Sequence, residues 1–86
     1  MKQLMTAKVR SSKGKTLHLT VHDGEIVEVP VPDRVVIVEG LGSCFLLRED
    51  AEKQCIADTW HESVGAAMVQ AEFEYELEAW LQLETQ

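Results

Sequence analysis

Ala57 to Tyr75, ADTWHESVGAAMVQAEFEY, decides how the rest of this chain is read. Thr59-Trp60-His61-Glu62 matches the S/T-x-x-E capping box. In that box the threonine hydroxyl accepts from the Glu62 N–H, and the Glu62 carboxylate reaches back to the Thr59 N–H. Asp58 adds negative charge at the positive end of the helix dipole. At about 100° per residue, Trp60, Val64, Ala67, Met68, Ala71 and Tyr75 share one face. The spacing predicts a helix over Thr59–Tyr75, small along its middle and suited to close packing on a sheet.

A second stripe lies nearly opposite: Ala66, Val69, Phe73, Leu77 and Trp80, flanked by Glu72 and Glu76 on one side and Glu74 on the other. A helix that only covers its own sheet has a solvated back. Either the C-terminal tail folds under the helix and shields Phe73, or the stripe meets another chain. Val69, Phe73, Leu77 and Trp80 are therefore interface candidates. Ala71 to Leu77 also alternates apolar residues with Glu, a strand signature. Ala and Glu are good helix formers, however, and no Gly or Pro follows Gly65. The helix is expected to end near Tyr75, with Glu76–Gln86 unassigned.

Upstream, the chain reads as strands. Leu4–Arg10 puts Met5, Ala7 and Val9 on one face. Thr16–Val21 alternates Leu17, Leu19 and Val21 with Thr16, His18 and Thr20. A loop at Ser11–Lys15 sets Val9 opposite Leu17 and Ala7 opposite Leu19. His22-Asp23-Gly24 reads as a hairpin loop with Gly24 left-handed, placing Leu19 opposite Val27, Leu17 opposite Val29 and His18 opposite Glu28. Pro30 and Pro32 end the strand that begins at Glu25 or confine it to an edge. The β-branched run Arg34–Val38 fits an interior strand covered on both faces. After a turn at Gly40-Leu41-Gly42, Cys44–Arg48 and Gln54–Ala57 form a last hairpin. Pairing Arg48 with Gln54 places Phe45, Leu47, Cys55 and Ala57 on one face and Leu46 and Ile56 on the other.

The stretch FLLREDAEKQCIADTWHESVGAAMVQAEFEY resembles a group of short bacterial proteins of no known activity. They share an apolar strand, a charged turn, a D-T-W-H helix start and an A-E-F-E-aromatic helix end. The resemblance covers roughly the last half of the chain. It implies a bacterial, strand-rich domain with a C-terminal helix, and no site residue transfers with it. A Gly often follows the aromatic in that group, whereas this chain has Glu76.

Eighty-six residues make one domain, 1–86. A chain this short buries roughly 60–65% of its unfolded surface, so its stability is marginal. Cys44 and Cys55 both fall in expected strands and are not opposite each other. They read as buried free thiols of a cytoplasmic protein. The start, MKQLMTAKVR, has no apolar run long enough for a signal peptide, and nothing approaches a membrane span. A net charge of −7 argues against nucleic acid as a partner. The charge is uneven: residues 1–15 hold five of the eight bases, Lys2, Lys8, Arg10, Lys13 and Lys15, and no acid. The first hairpin either neutralises the rest of the surface or supplies a basic partner for the acidic side.

Little points to chemistry. His18 and His22 sit roughly 13 Å apart along one strand and cannot share a metal. No four-ligand set is spaced for a structural site, and no cofactor motif is present. His61 is the one modest base candidate, with Asp58 or Glu62 to orient it.

These observations predict an α+β fold, an antiparallel meander-like sheet of five or six strands with one C-terminal helix packed across it. A half-open barrel plugged by the helix is the alternative. The expected core is Val9, Leu17, Leu19, Val27, Val29, Ile37, Phe45, Leu47, Val64, Met68 and Ala71. The expected function is a small acidic non-enzymatic protein-binding module or homodimer, acting on itself or on a basic protein. The alternative is a small enzyme or ligand-binding domain using His61.

Overall fold

The β-branched run Val35–Val38 is buried on both faces and forms the middle of an antiparallel sheet, as its composition predicts. The computed structural model describes residues 2–14, 19–28 and 30–83. Along the chain run β1 (Lys2–Ser12), β2 (Leu19–His22), β3 (Glu25–Glu28), β4 (Arg34–Gly40), β5 (Ser43–Glu49), β6 (Cys55–His61), α1 (Val64–Glu74), β7 (Tyr75–Leu77) and β8 (Leu81–Gln82). The fold is α+β: a six-stranded antiparallel sheet with one helix, among the described residues, packed across it. The strand order is β6-β5-β4-β1-β7, with β8 also on β1. Among the described residues this order does not close on itself.

The meander expected from the sequence holds for β4, β5 and β6 only. β1 does not pair with the Leu19 strand. It pairs with β4 on one side and with β7 and β8 on the other. The local pattern gave Met5, Ala7 and Val9 one face correctly, and Ala7 is buried while Met5 and Val9 pack against the core. The local pattern carried no information about β1's partner. β2 and β3 form a separate two-stranded sheet, the arm. Its turn is Asp23-Gly24, two residues with φ of 52° and 80°, and not the three-residue loop from His22. Two successive positive φ angles suit the strand twist of a hairpin. The shorter turn moves the register by one, so Leu19 faces Glu28 and Val21 faces Ile26. Leu19 and Val27 are exposed and leave the expected core. The placements expected for Leu17, His18 and Val29 lie outside the described residues.

Thr59 does not cap the helix. Thr59, Trp60 and His61 continue β6, opposite Leu46, Phe45 and Cys44. A β-branched and an aromatic residue fit a pleated surface well, and the strand gains ladder bonds along the whole of β5. The D-T-W-H segment is therefore strand. Ser63 is the cap, its hydroxyl accepting from the Ala66 N–H at 3.1 Å. The hairpin register follows: Arg48 pairs with Ala57, not Gln54, with an irregularity at Arg48/Glu49. Cys44, Leu46 and Arg48 then face the helix, and Phe45 and Leu47 face away, reversing the expected assignment. Cys44 is buried but Cys55 is exposed.

The helix presents Val64, Ala67, Met68 and Ala71 to the sheet, over Ala7, Val35, Ile37 and Leu46. Ala67 and Ala71 are fully buried, and their small size lets the helix approach closely. Its end is fixed by Tyr75, which turns extended at φ −136°. Lys13 closes that end: its N–H donates to the Glu74 carbonyl and its ammonium to the Glu72 carbonyl. A cation at a helix C-terminus also opposes the dipole. The remaining chain returns along β1, so Leu77 and Trp80 pack against the core instead of extending the helix stripe.

Candidate functional site

The helix-side face of the sheet carries residues that alternate along each strand. Arg48 follows Cys44 and Leu46 on β5, so its side chain enters the space under the helix. Glu74 lies seven residues after Ala67, on the same helix face, and meets it there. Both are fully buried. Arg48 Nε donates to Glu74 Oε1 at 3.1 Å and Nη2 to Oε2 at 2.8 Å, a bidentate pair. Nη1 donates to the Leu46 carbonyl at 3.1 Å and to the Thr59 hydroxyl at 3.0 Å. Gln70 Nε2 donates to Glu74 Oε2. Tyr75 stands beside both ions. Burial, then the Glu74 charge, pushes its phenol above the usual range, against the opposing pull of Arg48.

His61 reaches this centre from its rim. Its Nε2 and the Thr59 hydroxyl share a 2.7 Å hydrogen bond. Burial first, and the Arg48 cation second, lower its pKa below the ordinary 6.5, while Glu74 opposes. His61 is thus neutral at pH 7, in contact with a hydroxyl that also takes a bond from a cation. Sequence reasoning offered Asp58 and Glu62 to orient it. The structure brings neither to the imidazole: Asp58 faces away from the helix opposite Leu47, and Glu62 is exposed beyond the strand end. Thr59 and, through it, Arg48 take that position. The contact with Thr59 holds the orientation of the imidazole; among the described residues no group of three His, Cys, Asp or Glu is placed to hold a metal.

Arg48 and Glu74 escaped sequence reasoning, although each left a signal. Each is a charge at a position whose neighbours on the same face are apolar. One such charge argues against the assignment, and two of opposite sign argue for a pair.

Of the second stripe, Val69 and Phe73 remain on the helix back, 66% and 47% exposed. Leu77 and Trp80 have gone to the core, the Trp80 indole donating to Glu72 Oε2 at 2.9 Å. The sheet's other face presents Thr6, Val36, Val38, Phe45, Leu47 and Trp60, with Phe45 paired to both Val38 and Trp60. Val36 and Val38 are covered, while Trp60 is 57% exposed. At the far end of that face Lys8 stands opposite Arg34, and Arg34 opposite Glu49. Arg34 Nε lies 3.1 Å from Glu49 Oε1 but off the hydrogen-bond line, so the contact is ionic. An open pocket of about 370 Å³ adjoins it, bordered by Gln3, Thr6 and Lys53.

The arm carries the largest unpacked apolar set. Leu19, Val21 and Ile26 share one of its faces with Glu28 and are 56%, 69% and 72% exposed. Among the described residues, the contacts of β2 and β3 are chiefly with each other. No helix among the described residues is long and apolar enough to cross a membrane. No protein-family model matches the chain, and neither the curated proteins nor the solved structures give a match.

Proposed function

We propose that this chain is a small acidic, non-enzymatic binding protein that works as a homodimer. The observation that carries the reading is the arm, a hairpin of two four-residue strands holding three large aliphatic side chains in water. An isolated two-stranded hairpin is marginal in water and needs a third strand or another surface. The outer sheet face and the helix back add Trp60, Val69 and Phe73 to the uncovered apolar surface. Patches of this kind on a small chain mark association sites. Closed two-fold dimers are the commonest way of covering them.

The ionised centre supports the same reading. Arg48 directs its donors to Glu74, the Leu46 carbonyl and the Thr59 hydroxyl, and His61 joins the rim through Thr59. A reducing compartment such as the cytoplasm fits the two thiols, which sit at opposite ends of the β5–β6 hairpin, beyond bridging reach. Sedimentation equilibrium in moderate salt tests the proposal. The expected result is a dimer with a dissociation constant of about 1 µM, or about 8 kcal/mol. A chain that stays monomeric at concentrations about a hundredfold higher overturns it.

A further inference from the structure

We propose that the homodimer forms edge to edge: β6 of each copy pairs antiparallel with β6 of the other about a two-fold axis at Thr59, joining the two sheets into one. This rests on the homodimer reading and gives that dimer its surface. β6 stands at one end of the strand order and, among the described residues, pairs with β5 alone. The ladder shows which of its backbone groups are left over. The Val9 N–H donates to the Asp33 carbonyl, one step beyond the Lys8–Arg34 pair. Bonded and non-bonded pairs alternate along an antiparallel ladder, and each residue sends both of its groups to one side. Carried across the sheet, this has Val35 and Ile37 bonding to β1, Val36 and Val38 to Leu47 and Phe45, and Cys44 and Leu46 to His61 and Thr59. Asp58 and Trp60 are left with N–H and C=O pointing away from the sheet.

That edge is unguarded. Sheets blunt a free edge with Lys, Pro or a bulge. Residues 55–61, CIADTWH, contain no Lys, Arg or Pro. The irregularity of the β5–β6 ladder lies between Cys55 and Ala57, so Ala57–His61 is regular. The opposite side of the sheet is divided between β7 and β8, three and two residues long. A row of unpaired backbone groups is completed by another extended strand, and β6 itself fits.

The sequence of β6 selects the register. A dyad on Asp58 sets the two aspartates face to face, and a dyad on Trp60 sets Asp58 opposite Glu62 of the partner subunit. Like charges directly opposite each other repel. Dyads on Ala57 or His61 run out of the regular segment. The dyad on Thr59 uses all of it: Asp58 meets Trp60 of the partner subunit, Thr59 meets its own copy, and Ala57 meets His61 of the partner subunit. Both Asp58–Trp60 pairs are then bonded pairs, exchanging their N–H···O bonds through the groups now free. The two Trp60 indoles become diagonal neighbours at about 7–8 Å, within aromatic reach. Their contact covers a side chain that its own sheet leaves 57% exposed. The Asp58 carboxylates take the other diagonal, exposed to solvent that screens them. The contact is isologous, as a closed dimer requires. A strand-on-strand contact of this length is a small interface, about 1,200 Å² or less, the class of reversible associations.

The test is sedimentation equilibrium together with amide hydrogen exchange on the full chain, with variants confirmed as folded by far-UV circular dichroism. Asp58→Pro removes an N–H that points away from β5, so the intrachain ladder stays intact while the dimer weakens by about tenfold or more. Trp60→Ala weakens it to a similar degree. Phe73→Glu, and Val21→Glu with Ile26→Glu, leave the constant unchanged. The native chain supplies a readout free of any substitution: the Asp58 and Trp60 amides gain protection as concentration rises through the dissociation constant, while the Thr59 amide is protected on both sides of it. A dimer whose Asp58 and Trp60 amides exchange freely overturns edge pairing and keeps the homodimer. So does a dimer that Asp58→Pro leaves intact, or one broken by the helix-back or arm substitutions. A native chain monomeric throughout overturns both proposals.

Discussion

Glu74→Gln removes one charge from the buried centre and nothing from its shape. The glutamine carbonyl still accepts from Arg48 Nε, but its NH₂ faces Nη2, and the 2.8 Å bond becomes a donor–donor contact. Gln70 loses its acceptor at the same position. A hydrogen bond to a charged group contributes about 1.5–3 kcal/mol. The guanidinium also stays fully buried with no counter-ion. Breaking one side of such a pair costs about 3–5 kcal/mol. A domain of 86 residues has about 4–13 kcal/mol in all, at about 0.05–0.15 per residue. Glu74→Gln therefore removes about a quarter or more of the stability. Urea unfolding followed by the fluorescence of Trp60 and Trp80 measures it. With an m-value of about 1–1.5 kcal/mol/M, the midpoint falls by about 3 M. Arg48→Met with Glu74→Leu removes both ions and recovers at least half of that loss, since apolar replacements of buried pairs are commonly tolerated. A Glu74→Gln variant that loses less than about 1 kcal/mol, the range of a solvated pair, refutes the burial argument.

Two further outcomes follow from the same structure. Leu41 is exposed with φ of 55° in the Leu41-Gly42 turn, a left-handed conformation that costs a non-glycine residue about 1–2 kcal/mol; Leu41→Asn raises the melting temperature by roughly 4–8 °C per kcal/mol gained, and no rise means the turn is not strained. His61 has a folded pKa below its unfolded value, so its contribution is present above about pH 6.5 and is lost as pH falls through the lowered folded pKa; comparing urea midpoints at neutral and mildly acidic pH, His61→Gln flattens that loss, and an unchanged pH slope assigns it to other groups.

What could be read from the sequence was what neighbouring residues determine. The run Val35–Val38, the Met5/Ala7/Val9 alternation, the Val64/Ala67/Met68/Ala71 helix face and a turn at Asp23-Gly24 all follow from local periodicity or backbone preference. The errors came where two local signals competed or where a partner lay far away. Thr59 satisfied a capping pattern and a strand pattern together, and the ladder with β5 decided between them. Leu17 and Leu19 alternated as if a sheet lay beneath them, yet β4 had taken the place beside β1, and Leu19 ended in solvent. Arg48 was read only as a register position opposite Gln54 and Glu74 only as a flank of the second stripe; their meaning exists in the pair.

β1 pairs on one side with β7 and β8, across nearly the whole length of the described chain. During synthesis β1 leaves the ribosome before these neighbours and waits for them. β4 comes within a few seconds at about 5–20 residues per second, but β7 and β8 come last. In that interval the far edge of β1 offers unpaired backbone groups to any other strand. Its exposed Lys2, Lys8 and Arg10 are the kind of charged residues that discourage such pairing. The cationic side chains of β1 are thus suited to keep that edge unpaired until β7 and β8 arrive.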